Sequence, residues 1–95
     1  MGQPAPRVAI DREDVDALER RVLELADEAQ VEIDLVDGGR IRGTVAVRPS
    51  AQVFVDGRGS EGINGTVRID DAVDPSHAHF IWLTDIAAIR KLGSA

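Results

Sequence analysis

Between Val31 and Val47 apolar and polar residues alternate, in the stretch VEIDLVDGGRIRGTVAV. Val31, Ile33 and Leu35 share one face of a strand, with Glu32 and Asp34 opposite. Ile41, Gly43, Val45 and Val47 share a face of the next strand, with Arg40, Arg42 and Thr44 opposite. Both apolar sets must lie on the same side of a sheet. A two-residue loop is therefore excluded, because a slip of one residue turns a whole strand over. A three-residue loop, Asp37-Gly38-Gly39, pairs Leu35 with Ile41 and Ile33 with Gly43, and sets Asp34 opposite Arg42. Gly39 is expected to be the left-handed residue that follows a type I turn. Gly43 falls in mid-strand, where a missing side chain marks a sharp bend or close packing. A strand bent there begins to curl the sheet into a barrel.

Upstream the period changes. Val15, Leu18, Val22, Leu25 and Ala29 recur at spacings of three and four, with Leu23 and Ala26 widening the stripe. This spacing predicts a helix over 12–29. Asp11 is placed to cap it, Asp14 makes a capping-box-like start, and Ile10 and Val15 fit a hydrophobic staple. Such a helix is marginal alone in water. Burying Val15, Leu18, Val22 and Leu25 contributes at most about 6–12 kcal/mol before entropy is subtracted. The helix is therefore expected to dock on the sheet and cap an open end of the barrel. Residues 1–10, with Pro4 and Pro6, are expected to fray.

Downstream, Arg48-Pro49-Ser50-Ala51 reads as a turn and Gln52 to Asp56 as a strand. Gly57 to Gly65 reads as a flexible loop, with a second hairpin signal at Asn64-Gly65. Thr66 to Asp70 is a strand, 71–76 holds a proline turn, and His79 to Leu83 is an apolar strand. Residues 86–92 fit either a short strand or a helical turn. The predicted organisation is one domain over 1–95: helix, then a barrel over 31–92 with an extended variable loop region at 57–76.

Composition narrows the classes of function. The chain has 95 residues and no cysteine, so disulfides, thiolate zinc sites and cysteine nucleophiles are excluded. A core this small without staples often gains stability by self-association. The net charge of −6 and pI near 4.7 count against tight binding to a phosphate backbone, and DNA is not an expected partner. Residues 1–30 carry eight acids and four bases, so most of the excess lies on the helical segment. The start, MGQPAPRVAI, has no basic segment followed by a long apolar run, so no secretory leader is expected, and no later apolar stretch is long enough to span a bilayer. A cytoplasmic location without membrane association is expected.

Val31, Ile33, Leu35, Asp37, Gly38, Gly43 and Val45 match, in order and spacing, the first motif of the Sm-like family of Sm, LSm and Hfq proteins. Ile81 to Ile89 (IWLTDIAAI) is similar in spacing to the closing segment of Hfq. The chain also resembles a group of uncharacterised bacterial Sm-like proteins. The resemblance implies a mainly β fold with one N-terminal helix: an Sm-like (SH3-type), strongly bent antiparallel barrel of five or six strands capped by the helix. Asp37, Gly38, Gly39 and Gly43 are its structural residues. It also implies an RNA site in the loop after the second strand, where Sm proteins place an Asp and an Asn. Here that loop, 48–52, has no Asp, and Gln52 alone can stand in for the Asn. Thr84-Asp85 replaces the Arg-Gly pair of the eukaryotic second motif, and Leu83-Thr84 falls where Hfq has Lys-His.

His77 and His79, two apart on a strand, point to one side and could take a metal with Asp74 or Asp71, but no further ligand is fixed by spacing. Rim histidines without a ligand role are the expected reading, with no cofactor. Asp56, Ser60, Glu61 and Asn64 fail a calcium-loop pattern, because Arg58 occupies a ligand position. Arg40, Arg42, Arg48, Arg58 and Arg68 could form a basic strip with Phe54, Phe80 and Trp82 for stacking. The competing expectation pairs Arg42 with Asp34 and buries the aromatics. No nucleophile elbow is present, and the chain is not expected to be an enzyme. A binding or assembly module is expected, acting by self-association (dimer or higher) or on a protein partner. The alternative is weak, Hfq-like RNA binding through Arg48, Gln52 and Arg58.

Overall fold

The computed structural model describes residues 2–92. Met1, the first residue of the expected fray, and 93–95, the end of the expected domain, lie outside the described residues. The elements in chain order are β1 (Gln3–Pro4), α1 (Arg12–Glu24), β2 (Gln30–Leu35), β3 (Arg40–Val45), β4 (Gln52–Val55), β5 (Glu61–Asn64), β6 (Thr66–Asp71), β7 (Ala78–Trp82), a 3₁₀ turn (Leu83–Asp85) and β8 (Ile86–Lys91). Strands β7-β6-β3-β2-β8 make a five-stranded sheet, and β1-β4-β5 make a three-stranded one. The mainly β composition with a single helix agrees with expectation. The strands, however, divide between two sheets instead of closing one barrel of five or six. Among the described residues no helix is long and apolar enough to cross a membrane.

The β2–β3 hairpin keeps its predicted facing but not its predicted register. Ile33 pairs with Ile41, Val31 with Gly43, Glu32 with Arg42 and Asp34 with Arg40. The Leu35 amide donates to the Gly39 carbonyl and the Gly38 amide to the Leu35 carbonyl, so the loop is Val36-Asp37-Gly38. Gly38, at φ 95°, is the left-handed residue, and not Gly39. The Asp37 carboxylate accepts the Gly39 amide at 2.8 Å and locks this turn. A one-residue shift of the loop moves the pairing by two, which leaves every side chain on its original face.

Gly43 packs as closely as its position suggested. A Cβ there would lie 2.1 Å from the Asp70 carbonyl oxygen and 2.9 Å from Ile69 Cγ2. Strands β3 and β6 therefore approach at a separation that only glycine permits. Val31, Ile33, Val45, Val67, Ile69 and Ile81 are buried on the inner face, where Leu18 and Leu25 of the helical segment join Leu83 and Ile86.

Helix α1 ends at Glu24, five residues before the periodicity does. Glu28 turns the chain at φ 62°, its amide donates to Val45, and Ala29 accepts from the Val45 amide. Residues 28 and 29 thus already belong to the sheet side of the turn. Asp11 stands at the N-cap without a side-chain capping bond, while Ile10 and Leu23 are 58% and 65% exposed. Ile10 is thus largely left to solvent, and Leu23 does not widen the buried stripe.

The expected fray is instead an ordered arm. Gln3 and Pro4 pair parallel to β4, the Ala5 amide donates to Val55, and Ala9 exchanges both backbone bonds with Ile63. Asn64-Gly65, predicted as a hairpin tip, is a bend inside one run of strand, β5 into β6, that carries the chain from the smaller sheet to the larger. Asn64 is fully buried and fully bonded. Its Oδ1 accepts the Gly65 and Thr84 amides, and its Nδ2 donates to the Arg7 carbonyl and to Thr84 Oγ1.

Replacing Gly43→Ala is expected to lower the free energy of unfolding by about 1–3 kcal/mol, because β3 and β6 must separate to admit a methyl group. Urea denaturation checks this, and wild-type stability would mean that the close approach is absent in solution.

Candidate functional site

Strand β7, the groove beside it and the outer face of the five-stranded sheet hold most of the candidate chemistry. Side chains on that outer face form rows of charge. Arg90 on β8 donates to Glu32 at 2.8 and 3.0 Å, and to both oxygens of Asp34 at 2.8 and 2.9 Å. Asp34 also accepts from Arg40 at 2.9 Å. The Arg90 and Arg40 guanidiniums hold the Asp34 carboxyl far below the usual carboxylate range. Arg68 donates to Asp70 at 3.0 Å. The expected Arg42–Asp34 pair is therefore replaced: Arg42 faces Glu32, which Arg90 already holds, and Arg40 takes Asp34.

This neutralises much of the suspected basic strip. Arg40, Arg42 and Arg68 stand among acids on the sheet face. Arg48 and Gln52 line a separate groove of about 350 Å³ with Val47, Phe54, Thr66 and Trp82. Arg58 sits at the tip of the β4–β5 hairpin, where Asp56 Oδ1 accepts the Arg58 and Ser60 amides at 2.9 Å. The structure thus brings Arg48 and Gln52 together and leaves Arg58 apart. The Asp56 carboxylate is thus used by its own hairpin, and the expected flexible loop over 57–65 is an ordered turn running into β5.

The aromatics separate. Phe54 is buried and meets Trp82 edge to face at 5.3 Å, whereas Phe80 is 72% exposed. The expectation that all three are buried fails at Phe80. Beside it lies a groove of about 300 Å³ floored by Leu35, Ile41 and Ile81, with Val36, Asp37 and Asp85 at its margin.

His77 and His79 do lie on one side, with ring centroids 4.6 Å apart. His79 Nε2 donates to Asp71 Oδ1 at 2.9 Å, while Asp71 Oδ2 accepts the Val73 and Asp74 amides. Among the described residues no three His, Asp or Glu side chains converge as metal ligands. The imidazole and then the two backbone amides pull the Asp71 carboxyl down to about 2 from its ordinary 3.8.

The backbone of β7 is the feature that sequence reasoning did not resolve. The Asp71 amide bonds the His77 carbonyl and the Leu83 amide bonds the Gly65 carbonyl, so odd-numbered residues of this strand face β6. The N–H and C=O groups of Ala78 and Phe80, and the N–H of Trp82, point outward. The two sheets have four edges, and the other three are guarded. Edge β1 is two residues long and contains Pro4. The outer side of β5 is bonded to Ala9. Edge β8 is bulged near Ala87, the Ile86 and Ala87 carbonyls accept from Arg21 at 3.2 and 3.0 Å, and Arg90 and Lys91 charge its far end. Strand β7 (AHFIW) has no proline, bulge, Lys or acid.

A helix followed by this hairpin, bent strand and closing 3₁₀-strand unit defines a variant of the Sm-like fold. The crystal structure of XC5848 from Xanthomonas campestris, described as adopting a novel variant of the Sm-like motif, superimposes with a TM-score of 0.90 at 36% identity, over 98% of this chain and 100% of that one. Residues 2–92 match the family described as Domain of unknown function (DUF3247), and the chain belongs to that family. No curated protein sequence matches it significantly.

The Asp71 contact has a definite pH signature. An unfolded chain protonates this carboxyl near 3.8 and the folded one only near 2. The stability it contributes is thus complete above the higher value and lost as pH falls through the lower. His79→Ala is expected to raise the Asp71 midpoint toward 3.8 in an NMR titration of the carboxyl carbons. An unchanged midpoint would show that the ion pair does not form in solution.

Proposed function

We propose that this chain is a non-enzymatic assembly module that joins protein to protein, its own copies first, through an exposed strand edge. The carrying observation is the contrast among the four edges: three are guarded and β7 is open, with Phe80 exposed upon it. Unpaired backbone groups in a row are a template for another strand. An edge left unguarded in a chain that guards the others is therefore assigned to a partner. The small, cysteine-free core supports the same reading, because association adds buried area that a chain of this length lacks.

The alternative, weak Hfq-like contact with single-stranded RNA, draws on one feature: the groove that gathers Arg48 and Gln52 near Trp82. Against it stand the net charge of −6 and the pairing of Arg40 and Arg68 with acids. A phosphate-tracking surface needs clustered, unpaired cations.

Light scattering across a concentration series tests the proposal. Wild-type protein is expected to gain mass with concentration, and Phe80→Lys, which sets a charge on the open edge, is expected to stay at the mass of one chain. Wild-type protein that remains a single chain at every concentration would overturn the self-assembly reading, as would a Phe80→Lys variant that associates equally well.

A further inference from the structure

We propose that two copies join along β7 in an antiparallel, two-fold pairing with Phe80 facing its counterpart, so that two five-stranded sheets run on as one of ten strands. This seam rests on the self-assembly reading above and gives it a geometry. A strand that pairs with its own copy about a two-fold axis must be self-complementary. With Phe80 at the axis, Ala78 falls opposite Trp82 of the second copy, so the smallest side chain of the strand meets its largest. The two Phe80 rings, each 72% exposed in the single chain, cover one another.

The backbone fits as well. Phe80 and its counterpart exchange a reciprocal pair of hydrogen bonds, and each Trp82 N–H meets the Ala78 carbonyl of the other copy. No like charges are brought together along the seam. The sole ionisable side chain on β7, His79, lies on the inner side bonded to Asp71.

A head-to-tail alternative, β7 of one copy against β8 of the next, meets obstacles. The bulge near Ala87 interrupts the ladder, and Arg21 already occupies the Ile86 and Ala87 carbonyls. The seam is also short. Five residues of strand cover far less than the roughly 1,200–2,000 Å² of a standard stable interface. The dimer is therefore weak and reversible, and it forms in proportion to concentration.

Amide hydrogen exchange on the unmodified protein, followed by NMR at low and high concentration, reads the seam directly. The Phe80 and Trp82 amides are expected to slow as concentration rises, while the outward amides of Ile89 and Lys91 on β8 do not change. Slowing at Ile89 and Lys91 together with Phe80 would replace the two-fold seam with the head-to-tail one. A second variant fixes the register. The chain has no cysteine, so Phe80→Cys is expected to give a disulfide-linked dimer on mild oxidation, since facing Cα atoms about 5.5 Å apart are within disulfide reach. Ala78→Cys, whose counterpart is Trp82, is expected to stay unlinked. A dimer mass without the Phe80→Cys link, and without concentration-dependent slowing at Phe80, overturns the seam and leaves the assembly reading standing. A single-chain mass throughout overturns both.

Discussion

A buried asparagine side chain holds the two sheets of this protein in their relative places. Asn64 has no solvent exposure, and both ends of its amide are satisfied: two backbone amides on its oxygen, a carbonyl and a hydroxyl on its nitrogen. An unpaired polar group in that position costs about 1–3 kcal/mol, so the partners are fixed as firmly as the side chain is. Those partners belong to three separate pieces of chain. Arg7 lies on the N-terminal arm, Gly65 at the bend between sheets, and Thr84 in the 3₁₀ turn before the last strand. A fully satisfied polar cluster specifies one arrangement where an apolar one would tolerate several.

The functional surface follows from that arrangement. The arm, tied at Arg7, brings Ala9 against Ile63 and so closes the β5 edge. Its hold is reinforced by the ion pair of Arg7 with Asp85 in the 3₁₀ turn. The same turn sends the chain from β7 across to β8 at the far side of the larger sheet, where Arg21 reaches the Ile86 and Ala87 carbonyls. Three edges are thereby covered, bulged or shortened, and β7 is left open. The charge rows on the outer sheet face, with Arg90 spanning Glu32 and Asp34, keep that face polar and internally paired. Each such pair is worth little alone at an exposed site. Together they commit Arg40, Arg68 and Arg90 to carboxylates on that face.

Much of the framework was legible in the sequence. Alternation placed Val31, Ile33 and Val45 in the core, and the mid-strand glycine marked the close approach of β3 to β6. The hairpin register was not legible, because a shift of two residues preserves every facing and only the turn chemistry of Asp37 and Gly38 separates the choices. The end of α1 was masked because Ala29 continues the periodicity, while the left-handed turn at Glu28 is imposed by pairing with Val45. Pro4 and Pro6 argued for fraying, yet the arm is held by contacts with Val55, Ile63 and Asn64, fifty or more residues downstream. Asn-Gly has the composition of a turn, and burial of Asn64 has no local signature. Arg90 sits 56 residues from Asp34, so its capture of that carboxylate, and the displacement of Arg42, lay beyond any local pattern. His79 to Trp82 read correctly as a strand, while Leu83 opens the 3₁₀ turn instead, and the strand's place at an open edge is a property of the whole topology.

The most direct test of this account is amide exchange on Asn64→Ala compared with the wild-type protein. With the side-chain amide gone, the Ala9 and Ile63 amides should lose protection as the arm detaches, while the Val31 and Ile33 amides of the larger sheet keep most of theirs. Ala9 and Ile63 amides protected as in the wild type would contradict it, since the arm would then be held by something other than Asn64.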